Sequence, residues 1–546
     1  MDEEKEEKKE DKTEGEEWEE AASSDDVKEG VPLSVKVGKR NIILIKRGDK
    51  IYASGAKCSH YGAPLAEGVL IDHVLTCPWH NARFDMTSGM MISPPALDDL
   101  SRFEVKIKKG KVYVKKTEKL QSRIRVKREK GTYVIIGGGG AGFSAALTLR
   151  REGFDGRVII ATAESEAPYD RPNLSKDYLS GELEAKWMPL KSPEFYRENS
   201  IELLTNHRLL LIDRKNRALH FAGGLYLEYD KLLLATGAIP RTPDIPGNDL
   251  KNFFLLRSLS DANAIIAALD SSKDVVVLGA SFLGLEVASA LRNWNLNVHV
   301  VAPENIPMAR IFGPEIGERI LKTHKSKGVQ FHPGVTPERI KGDDRVREVV
   351  LSNRKRINAD VVIAGIGVVP AVTCISDTDL LENNAVVVDS TLKTRDENIY
   401  AAGDIALVPD PLTGKGRRIE HWVEAQRQGQ HAARAMLGSS EPYREVPFFW
   451  TKQYDRVLRY VGYSRSYDRV VYRGAVEGEN FLAGYYTRVE GEEPPLEIRA
   501  AASMGRSDEI IIVSELLKAG INVPPEVFQD ENSDLRDFFE RNRAGR

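Results

Sequence analysis

Cysteine is scarce in this chain of 546 residues, and its scarcity excludes several classes of redox protein. The three cysteines, Cys58, Cys77 and Cys374, are too few to hold a chain of this length together with disulfide bonds. A [4Fe–4S] cluster needs four thiolate ligands, so an enzyme built around one, such as an assimilatory nitrite reductase, is also excluded. The few cysteines present therefore narrow the choice of chemistry.

Long apolar runs and long basic stretches are missing as well. No segment of about 18 uncharged apolar residues occurs, so the sequence predicts no transmembrane helix. No basic stripe interleaved with aromatic residues occurs either, which leaves nucleic-acid binding without support.

Negative charge is concentrated at the N-terminus. Residues 1–30 contain 15 acidic residues and five lysines, whereas the whole chain has a net charge of −3. Such a composition, without apolar periodicity, predicts a disordered, solvated tail. It is unlike an arginine-rich transit peptide or a secretory signal, so we expect a soluble cytoplasmic protein.

Short β-rich runs separated by turns follow this acidic stretch. The clearest runs are residues 41–45, 51–53 and 111–114. Gly48 and Asp49 predict a hairpin turn between the first two runs. We therefore expect a small all-β domain over residues 31–116, followed by a charged linker over residues 117–131.

From Thr132 the pattern changes to strands alternating with helices, which predicts βαβ units and a parallel sheet. Two such units open with a glycine turn, at Gly137 and at Gly279, about one domain length apart. They predict two α/β Rossmann-like dinucleotide-binding domains. Residues 440–546 are rich in aromatic and β-forming residues, with a helical stretch at residues 514–518, and predict a C-terminal α+β domain.

Two Cys-His pairs lie in the small β domain. Cys58 with His60, and Cys77 with His80, supply two thiolates and two imidazoles from two loops. A Rieske [2Fe–2S] cluster needs this donor set, because two histidines replace two cysteines on one of its irons. Zinc accepts the same donors and remains the alternative, but zinc fingers usually group Cys with Cys and His with His. The alternating order, together with residues 62–65, resembles Rieske ferredoxin domains.

The remaining candidate ligands have simpler explanations. Respiratory Rieske proteins carry two further cysteines where this chain has Ala63 and Trp79, so the resemblance is to the ferredoxin and oxygenase type. Histidines outside the two pairs do not form a close pair for the second iron of a Rieske oxygenase. We expect His73 to be an exposed loop residue. Cys374 lacks a cysteine partner for dithiol chemistry and is expected to pack as a small hydrophobe.

The first glycine turn follows a buried strand at residues 134–136. Gly137, Gly139 and Gly142 satisfy G-x-G-x-x-G, in which the glycines allow a tight turn, approach of a pyrophosphate and close helix packing. Glu164, after the next strand, is expected to bond a ribose hydroxyl, with an ordinary surface glutamate as the alternative.

The second glycine turn departs from the usual pattern. Gly279 and Gly284 keep the outer positions, but Ser281 replaces the middle glycine. The next strand, residues 298–301, is followed by Glu304 rather than by an acid at its end. This leaves NADH and NADPH both open, with NADH favoured because an arginine is not adjacent.

Residues 132–500 resemble the apoptosis-inducing-factor and ferredoxin-reductase branch of two-dinucleotide flavoproteins. The matching motifs are residues 168–172, 174–176, 235–237, 240–241, 284–286, 401–404, 421–422 and 447–450. With the Rieske-like domain in front, the whole chain is similar to the Rieske-bearing members of the apoptosis-inducing-factor group.

The resemblance implies which domain binds which cofactor. Residues 132–255 with residues 375–439 would bind FAD, and residues 256–374 would bind NAD(P)H. Lys176 and Glu286 would form the catalytic pair beside the flavin and the nicotinamide. The other contacts implied are Arg171, Thr236, Gly237, Arg241 and Asp404 along FAD, and His421, Trp422 and Trp450 near the flavin ring.

Ordinary structural roles remain open for these residues. They are core packing for Trp422 and Trp450, solvated surface charge for Arg171, Lys176 and Glu286, and a helix N-cap for Asp404. The chain also has Thr451 and Lys452 where the family has Ser-Asp, so the contacts expected from these two positions are open.

The resemblance implies an NAD(P)H-dependent oxidoreductase of ferredoxin-reductase type. Electrons would pass from NADH through FAD to the built-in [2Fe–2S] cluster and on to an unknown acceptor, for which a protein is one candidate. FAD is needed because NADH gives two electrons together, whereas the cluster takes one. The alternative is a redox-sensing cell-death signalling protein whose conformation NADH and FAD control. The family also leaves a mitochondrial association open.

Overall fold

The computed structural model describes residues 18–116, 130–375, 378–411, 413–489 and 496–543. The chain divides into two units, Met1–Ser122 and Arg123–Arg546. In the described part of the chain, no helix is both long enough and apolar enough to cross a membrane.

The first unit is built from strands. They are β1 (Glu19–Ser23), β2 (Leu33–Val37), β3 (Arg40–Arg47), β4 (Lys50–Gly55), β5 (Val69–Ile71), β6 (Val74–Thr76), β7 (Arg83–Asp85), β8 (Met91–Ser93), β9 (Arg102–Lys108) and β10 (Lys111–Lys116). One sheet has the order β1-β10-β9-β4-β3-β2, and a smaller one has the order β5-β6-β7-β8. The hairpin turn predicted at Gly48 and Asp49 joins β3 to β4.

Strand β3 is buried on both faces. Ile43 and Ile45 pack in a core that contains Cys58 and Cys77. The alternate residues, Ile42 and Leu44, pack in a second core on the opposite face. Because successive side chains of a strand point to opposite faces, this one strand supports the cysteine-bearing loops and the rest of the unit.

The predicted disordered tail over residues 1–30 is wrong at residues 19–23, which form strand β1. This strand pairs with β10 at the edge of the larger sheet. Its acidic side chains are compatible with a sheet because Glu19 pairs with Arg40 and Glu20 lies 2.8 Å from Lys111. Residues 1–17, and residues 117–129 of the predicted linker, lie outside the described residues.

The second unit begins with alternating strands and helices. In chain order they are β11 (Thr132–Ile136), α1 (Gly140–Arg151), β12 (Arg157–Ala161), α2 (Pro193–Glu198), β13 (Ile201–Leu204), β14 (Leu209–Asp213), β15 (Ala218–Phe221), β16 (Tyr226–Glu228), β17 (Lys231–Leu234), β18 (Ala238–Pro240), β19 (Phe253–Leu255), α3 (Leu259–Leu269), β20 (Asp274–Leu278), α4 (Phe282–Leu291), β21 (Asn297–Ala302), α5 (Ala309–Phe312) and α6 (Pro314–Ser326). They continue with β22 (Gln330–Pro333), β23 (Pro337–Gly342), β24 (Val346–Leu351), β25 (Arg356–Asn358), β26 (Val361–Ala364), β27 (Val368–Pro370), β28 (Leu381–Glu382), β29 (Ala385–Val387), β30 (Ile399–Ala401), β31 (Ala406–Pro409), β32 (Gly416–Arg417) and α7 (Trp422–Met436).

Two parallel sheets form the centres of two α/β domains. The first has the order β13-β12-β11-β17-β30, and the second has the order β19-β26-β20-β21-β22. Strand β19 pairs with β26 of the second sheet, so the boundary expected after residue 255 lies one strand too late. Strands β18 and β27 pair with each other in a two-stranded sheet. The chain passes through β18 on its way from the first domain to the second, and through β27 on its way back.

The C-terminal domain is α+β, as expected. Its elements are β33 (Phe448–Gln453), β34 (Arg456–Gly462), β35 (Arg469–Ala475), β36 (Asn480–Arg488), β37 (Leu496–Met504), α8 (Ser507–Lys518), α9 (Pro525–Gln529) and α10 (Leu535–Arg543). The five strands form one antiparallel sheet in the order β33-β34-β37-β36-β35. Phe449, Tyr460 and Tyr485 share a hydrophobic core with Phe312 of the second α/β domain. This shared core fixes β33 beside α4.

Candidate functional site

The two loops that carry the Cys-His pairs have the same backbone structure. The amide of Cys58 donates to Ala63 O at 2.9 Å, and the amide of Cys77 donates to Ala82 O at 2.8 Å. Each loop then needs a left-handed residue four positions after its cysteine. Gly62 and Asn81 fill these positions with φ angles of 75° and 63°, and both residue types tolerate that region.

The loops bring the four predicted ligands together. His60 Nδ1 lies 3.1 Å from His80 Nδ1. Cys58 and Cys77 are buried free thiols. The pKa of the Cys58 thiol is raised, mainly by a hydrogen bond to Cys77 and secondly by burial. Burial lowers the pKa of His60 to about 3, so its imidazole is neutral, the form that binds a metal.

The tip around the two histidines is aromatic. The ring of Tyr61 lies 3.9 Å from that of His60, and Trp79 lies 6.3 Å from His80, centroid to centroid. Tyr61 and Trp79 are both exposed. His73, expected to be an exposed loop residue, is 54% exposed.

A cleft of about 1190 Å³ lies in the second unit, lined by both α/β domains and by the C-terminal domain. The predicted site residues that line it are Gly137, Gly139, Glu164, Arg171, Lys176, Thr236, Gly237, Ser281, Glu286, Asp404, His421, Trp422 and Trp450. Four predicted residues lie outside the lining: Gly142, Gly279, Gly284 and Arg241. Arg241 is exposed, and its Nε donates to Val368 O of β27 at 3.3 Å.

The two glycine turns have matching geometry. Gly137 and Gly279 have φ angles of 116° and 103°, which favour glycine. A Cβ on Gly142 would lie 2.0 Å from Gly137 O, and a Cβ on Gly284 would lie 2.1 Å from Gly279 O. The third glycine of each turn therefore allows the helix to pack against the turn, as the motif predicts.

The middle positions of the turns differ in side chain but not in backbone. Gly139 caps α1 with φ −79° and ψ −169°, and Ser281 caps α4 with φ −89° and ψ −171°. A Cβ on Gly139 would meet no atom of the described residues within 4 Å, so the space before α1 is open. The Ser281 hydroxyl lies 3.3 Å from Gly365 O, which directs it towards the protein.

Lys176 and Glu286, which the resemblance implied as the catalytic pair, form an ion pair. Lys176 Nζ lies 2.7 Å from Glu286 Oε2, and the two side chains are 10% and 7% exposed. Ser175 Oγ donates to the same oxygen at 2.6 Å. Thr451 Oγ1 donates to Glu286 Oε1 at 2.7 Å. Glu286 is therefore a buried acceptor held by three donors, and the surface-charge alternative does not apply to this pair.

The comparisons with known proteins cover all three parts of the chain. Residues 131–429 match the pyridine nucleotide-disulphide oxidoreductase family, residues 17–104 match the Rieske [2Fe-2S] domain, and residues 448–539 match the reductase C-terminal domain. The chain belongs to the pyridine nucleotide-disulphide oxidoreductases. Its cofactors are a [2Fe–2S] cluster, FAD and NAD(P)H.

Several relatives of this oxidoreductase confirm the resemblance. Apoptosis-inducing factor 3 of Homo sapiens is 35% identical over 514 residues, which cover 91% of this chain and 83% of that protein. Rhodocoxin reductase of Rhodococcus erythropolis is 34% identical and covers 74% of this chain and 93% of its own length. The ferredoxin reductase for the CYP199A2 system from Rhodopseudomonas palustris is similar with a TM-score of 0.71 and 34% identity, over 74% of this chain and 99% of that one.

The donor set of the oxidoreductase fits a two-iron cluster better than zinc. His60 Nδ1 and His80 Nδ1 lie 3.1 Å apart, and the thiols of Cys58 and Cys77 are hydrogen-bonded to each other. A structural zinc ion needs four ligands in one tetrahedron. In a Rieske cluster each iron takes only two protein ligands, which agrees with paired cysteines and paired histidines.

The cleft also fits a dinucleotide beside α1 and α7. The open space at Gly139 is a cradle that a side chain would fill, in front of a helix N-terminus that favours phosphate. Trp422 lies at the start of α7, and its ring is close to Gly140 of α1. A Cβ added to Gly140 would lie only 3.1 Å from this ring. The indole therefore packs against α1 and borders the cleft as well.

An aromatic cluster borders the cleft where the domains meet. The rings of His421 and Phe449 stack with centroids 4.1 Å apart, and Phe282 lies 4.8 Å from Phe449. Burial lowers the pKa of His421 to about 4, so it is neutral near pH 7. Phe282 and Phe449 were not predicted as site residues, although Phe282 lies inside the second glycine turn and Phe449 inside the matched motif at residues 447–450.

Glu164 and Arg171 are paired with each other in the cleft. Arg171 Nη2 lies 2.7 Å from Glu164 Oε1, and Arg171 Nη1 donates to Arg257 O at 2.5 Å. The Tyr169 hydroxyl donates to the second oxygen of Glu164 at 2.5 Å. The pairing holds both side chains at the cleft wall and gives Arg171 a role beyond that of a solvated charge.

Arg257 is a cleft residue that sequence reasoning missed. Its Nη2 lies 3.1 Å from Asp404 Oδ2. A Cβ on Gly237 would lie 3.0 Å from Arg257 Nη2. Arg257 directly precedes Ser258, whose hydroxyl caps α3 in a capping box with Asp261. The capping box was readable in the sequence, but it does not indicate that the arginine before it faces a cleft.

The two positions that depart from the family both make specific contacts. Thr451 has a hydroxyl, as the serine of the family does, and donates it in a hydrogen bond to Glu286. Lys452 Nζ lies 2.7 Å from Asp177 Oδ1 of the first α/β domain. Thr451 and Lys452 therefore both contact residues of the α/β domains. Cys374 is buried, as expected of a small hydrophobe, and also borders the cleft.

Proposed function

We propose that this oxidoreductase passes electrons from NADH through FAD to its own [2Fe–2S] cluster, and from the cluster to a small protein acceptor. FAD supplies the conversion of a two-electron hydride into single electrons, which the cluster requires. The observation that carries the proposal is the presence of two matching dinucleotide turns in one cleft, in a chain that also has the four Rieske ligands.

The proposed roles follow from the positions of the side chains. The turns at Gly139 and Ser281 would receive the two pyrophosphates, each at a helix N-terminus. Glu286 would orient Lys176 at the junction of the two sites. Phe282, Phe449 and His421 would exclude water there, which strengthens the electrostatic effect of the ion pair.

The remaining assignments support FAD binding in the first α/β domain. The residues proposed to contact FAD are Glu164, Arg171, Thr236, Gly237, Asp404, Trp422 and Trp450, with Arg257 added. Arg241 is proposed only as a rim residue. NADH is favoured over NADPH, because Glu304 follows β21 and an arginine is not adjacent.

A protein acceptor is proposed from the names of the relatives. Rubredoxin-NAD(+) reductase of Pseudomonas putida is 35% identical over 339 residues. A covalent putidaredoxin reductase–putidaredoxin complex is similar with a TM-score of 0.71 and 29% identity. Both names pair a reductase with a small redox protein, which is the kind of acceptor we propose. The cytoplasmic location stays a prediction.

The second candidate function is redox-dependent signalling in cell death. It is favoured by the match to apoptosis-inducing factor 3, because that match covers 91% of the chain. In this case NADH would change the conformation or oligomeric state of the protein, and turnover would be slow.

Steady-state reduction of a one-electron acceptor such as cytochrome c separates the two functions. The reductase predicts rapid NADH-driven turnover that Cys77→Ser largely removes, with His73→Ala, a change at an exposed histidine of the same unit, as the control. Slow turnover together with an NADH-driven change of oligomeric state, measured by light scattering, would instead support signalling.

A further inference from the structure

A row of buried hydrogen bonds leads away from Glu286 into the C-terminal domain. Thr451 Oγ1 lies 2.7 Å from Glu286 Oε1, and Gln453 Nε2 lies 3.4 Å from Thr451 Oγ1. His324 Nε2 lies 2.9 Å from Gln453 Oε1, and the Tyr454 hydroxyl lies 3.2 Å from His324 Nδ1. The row joins α4, β33 and α6, and its first four residues are at most 7% exposed.

Elementary hydrogen-bond chemistry gives this row a single direction. A carboxylate only accepts, so the one hydroxyl proton of Thr451 is donated to Glu286. Thr451 Oγ1 must then accept from the amide nitrogen of Gln453, which leaves the amide oxygen facing His324. His324 therefore carries its proton on Nε2 and accepts from the Tyr454 hydroxyl through Nδ1. Every donor in the row is directed towards Glu286.

The opposite direction is not compatible with an ionised Glu286. If the amide of Gln453 were reversed, its oxygen and the carboxylate would both require the single proton of Thr451. Burial lowers the pKa of His324 to about 4, so near pH 7 the ring has one N–H and cannot donate at both ends. The charge on Glu286 thus determines which ring nitrogen of His324, three hydrogen bonds away, carries the proton.

We propose that Thr451, Gln453, His324 and Tyr454 are positioning residues that hold the Glu286 carboxylate towards Lys176 through this one-way row. The proposal rests on the proposed function, in which Lys176 and Glu286 lie beside the flavin and the nicotinamide. Alternation along β33 makes the arrangement possible, because Phe449, Thr451 and Gln453 share one face of the strand. That face is buried against the second α/β domain.

Both ends of the row are anchored to the helix that carries Glu286. The backbone amide of Tyr454 donates to Ser289 Oγ on α4 at 2.6 Å. At the other end, Ser175 and Lys176 hold Glu286 Oε2, so the row is left to orient Oε1. Neighbours in such a network polarise one another, so a change at one end is transmitted to the other.

The direct test is the tautomer of His324, read from the ¹⁵N shifts of protein labelled with ¹⁵N-histidine. His324→Gln identifies the resonance. In the unmodified chain we expect only the Nε2–H form. In Glu286→Gln the new amide can donate to Thr451, the row can reverse, and an Nδ1–H population is expected at His324, three hydrogen bonds away. An unchanged tautomer in Glu286→Gln, or an Nδ1–H form in the unmodified chain, would overturn the row.

The second test is the rate of flavin reduction by NADH in rapid mixing. Thr451→Val keeps the volume but removes the donor, and we expect a fall of about tenfold, in line with the loss of a hydrogen bond to a charged group. The dissociation constant for NADH should change little, and Thr451→Ser should restore the rate. Thr394→Val is the matched control, since Thr394 is also buried but bonds Asp396 O.

The outcomes separate this proposal from the proposed function. A normal rate in Thr451→Val, with Lys176→Met slow, would overturn the positioning role alone. Normal rates in both variants would instead contradict the proposed function, because the ion pair would then not serve the reaction. If Thr451→Val fails to fold, Tyr454→Phe removes the outermost donor at a half-buried turn and should lower the rate by a smaller factor in the same direction.

Discussion

Glu286 accepts hydrogen bonds from side chains that come from two domains. Ser175 and Lys176 precede it by 111 and 110 positions, and Thr451 follows it by 165 positions. The sequence predicted the pair with Lys176 because both residues lie in recognisable motifs. It did not predict the contact with Thr451, because a hydrogen bond between distant residues depends on how β33 docks on α4.

Removal of Glu286 is expected to affect both stability and reaction rate. Glu286→Ala leaves Lys176 as a buried charge without its partner, which should lower the free energy of unfolding by about 3 kcal/mol. FAD content should stay close to one per chain, whereas flavin reduction by NADH should slow much more. Urea unfolding, the FAD absorbance ratio and rapid mixing measure the three effects. Loss of FAD without a change in rate per bound flavin would contradict the assignment.

Replacement of Cys77 tests the cluster assignment directly. We expect the reduced protein to give a Rieske-type EPR signal, and Cys77→Ser to abolish it because one iron loses a thiolate. Cys374→Ser, which changes a buried thiol in the other unit, should keep the signal. Stoichiometric zinc without iron in natively purified protein would contradict the assignment.

The two glycine turns show what local sequence can determine. Their φ angles and the close approach of Gly142 to Gly137 O depend only on residues within the motif. The same holds for the cysteine loops, in which Gly62 and Asn81 supply equivalent left-handed positions. The geometry of the glycine turns could be predicted because it depends on neighbouring residues, whereas the left-handed positions of Gly62 and Asn81 were not predicted.

Alanine substitutions within the first turn should have different effects. Gly142→Ala would place a Cβ 2.0 Å from Gly137 O, so the turn must move and FAD binding should be lost. Gly139→Ala meets no atom of the described residues within 4 Å at an ordinary φ, so folding should be preserved while FAD binding weakens. Circular dichroism and FAD titration measure the two outcomes. Tight FAD binding in Gly139→Ala would argue against a pyrophosphate at this position.

Elements that depend on distant partners were harder to predict. Strand β1 lies in an acid-rich segment whose composition indicates disorder, and its pairing depends on Arg40 and Lys111 of other strands. Strand β19 joins the second parallel sheet through β26, whose residues lie far along the chain. Composition and periodicity indicate the structure that a segment favours by itself. They do not indicate the distant residues that neutralise its charges or the strands with which it pairs.

Contact between the second α/β domain and the C-terminal domain should weaken in acid. The pKa of His324 is about 4 in the folded protein, against 6.5 for an ordinary histidine, because the side chain is fully buried. The unfolded chain therefore takes up the proton first as pH falls. Stability is retained above pH 6.5 and is lost as pH falls towards about 4, by about 3 kcal/mol.

His324→Gln is the control for this pH dependence. Urea unfolding followed by the fluorescence of the C-terminal domain should show a flatter dependence on pH in the variant than in the unmodified chain. An equally steep dependence in both proteins would assign the acid sensitivity to other groups.

Across the whole molecule, the central claim is that electrons reach the cluster only through FAD. Cys58, His60, Cys77 and His80 lie in the first unit, and the dinucleotide turns lie in the second. The sequence of the cluster loops contains no glycine turn of the kind found at residues 137–142, which could bind NADH. The account therefore requires an order of events in which flavin reduction comes first.

Rapid mixing of NADH with a flavin-free form of the full chain tests this claim most directly. Gly139→Glu fills the space before α1 and should exclude FAD, while the cluster in the other unit is retained and visible by EPR. In the unmodified chain, bleaching of the flavin should precede reduction of the cluster. In Gly139→Glu, NADH should fail to reduce a cluster that dithionite still reduces. Reduction of the cluster by NADH at the unmodified rate, in protein shown to lack FAD, would contradict the account.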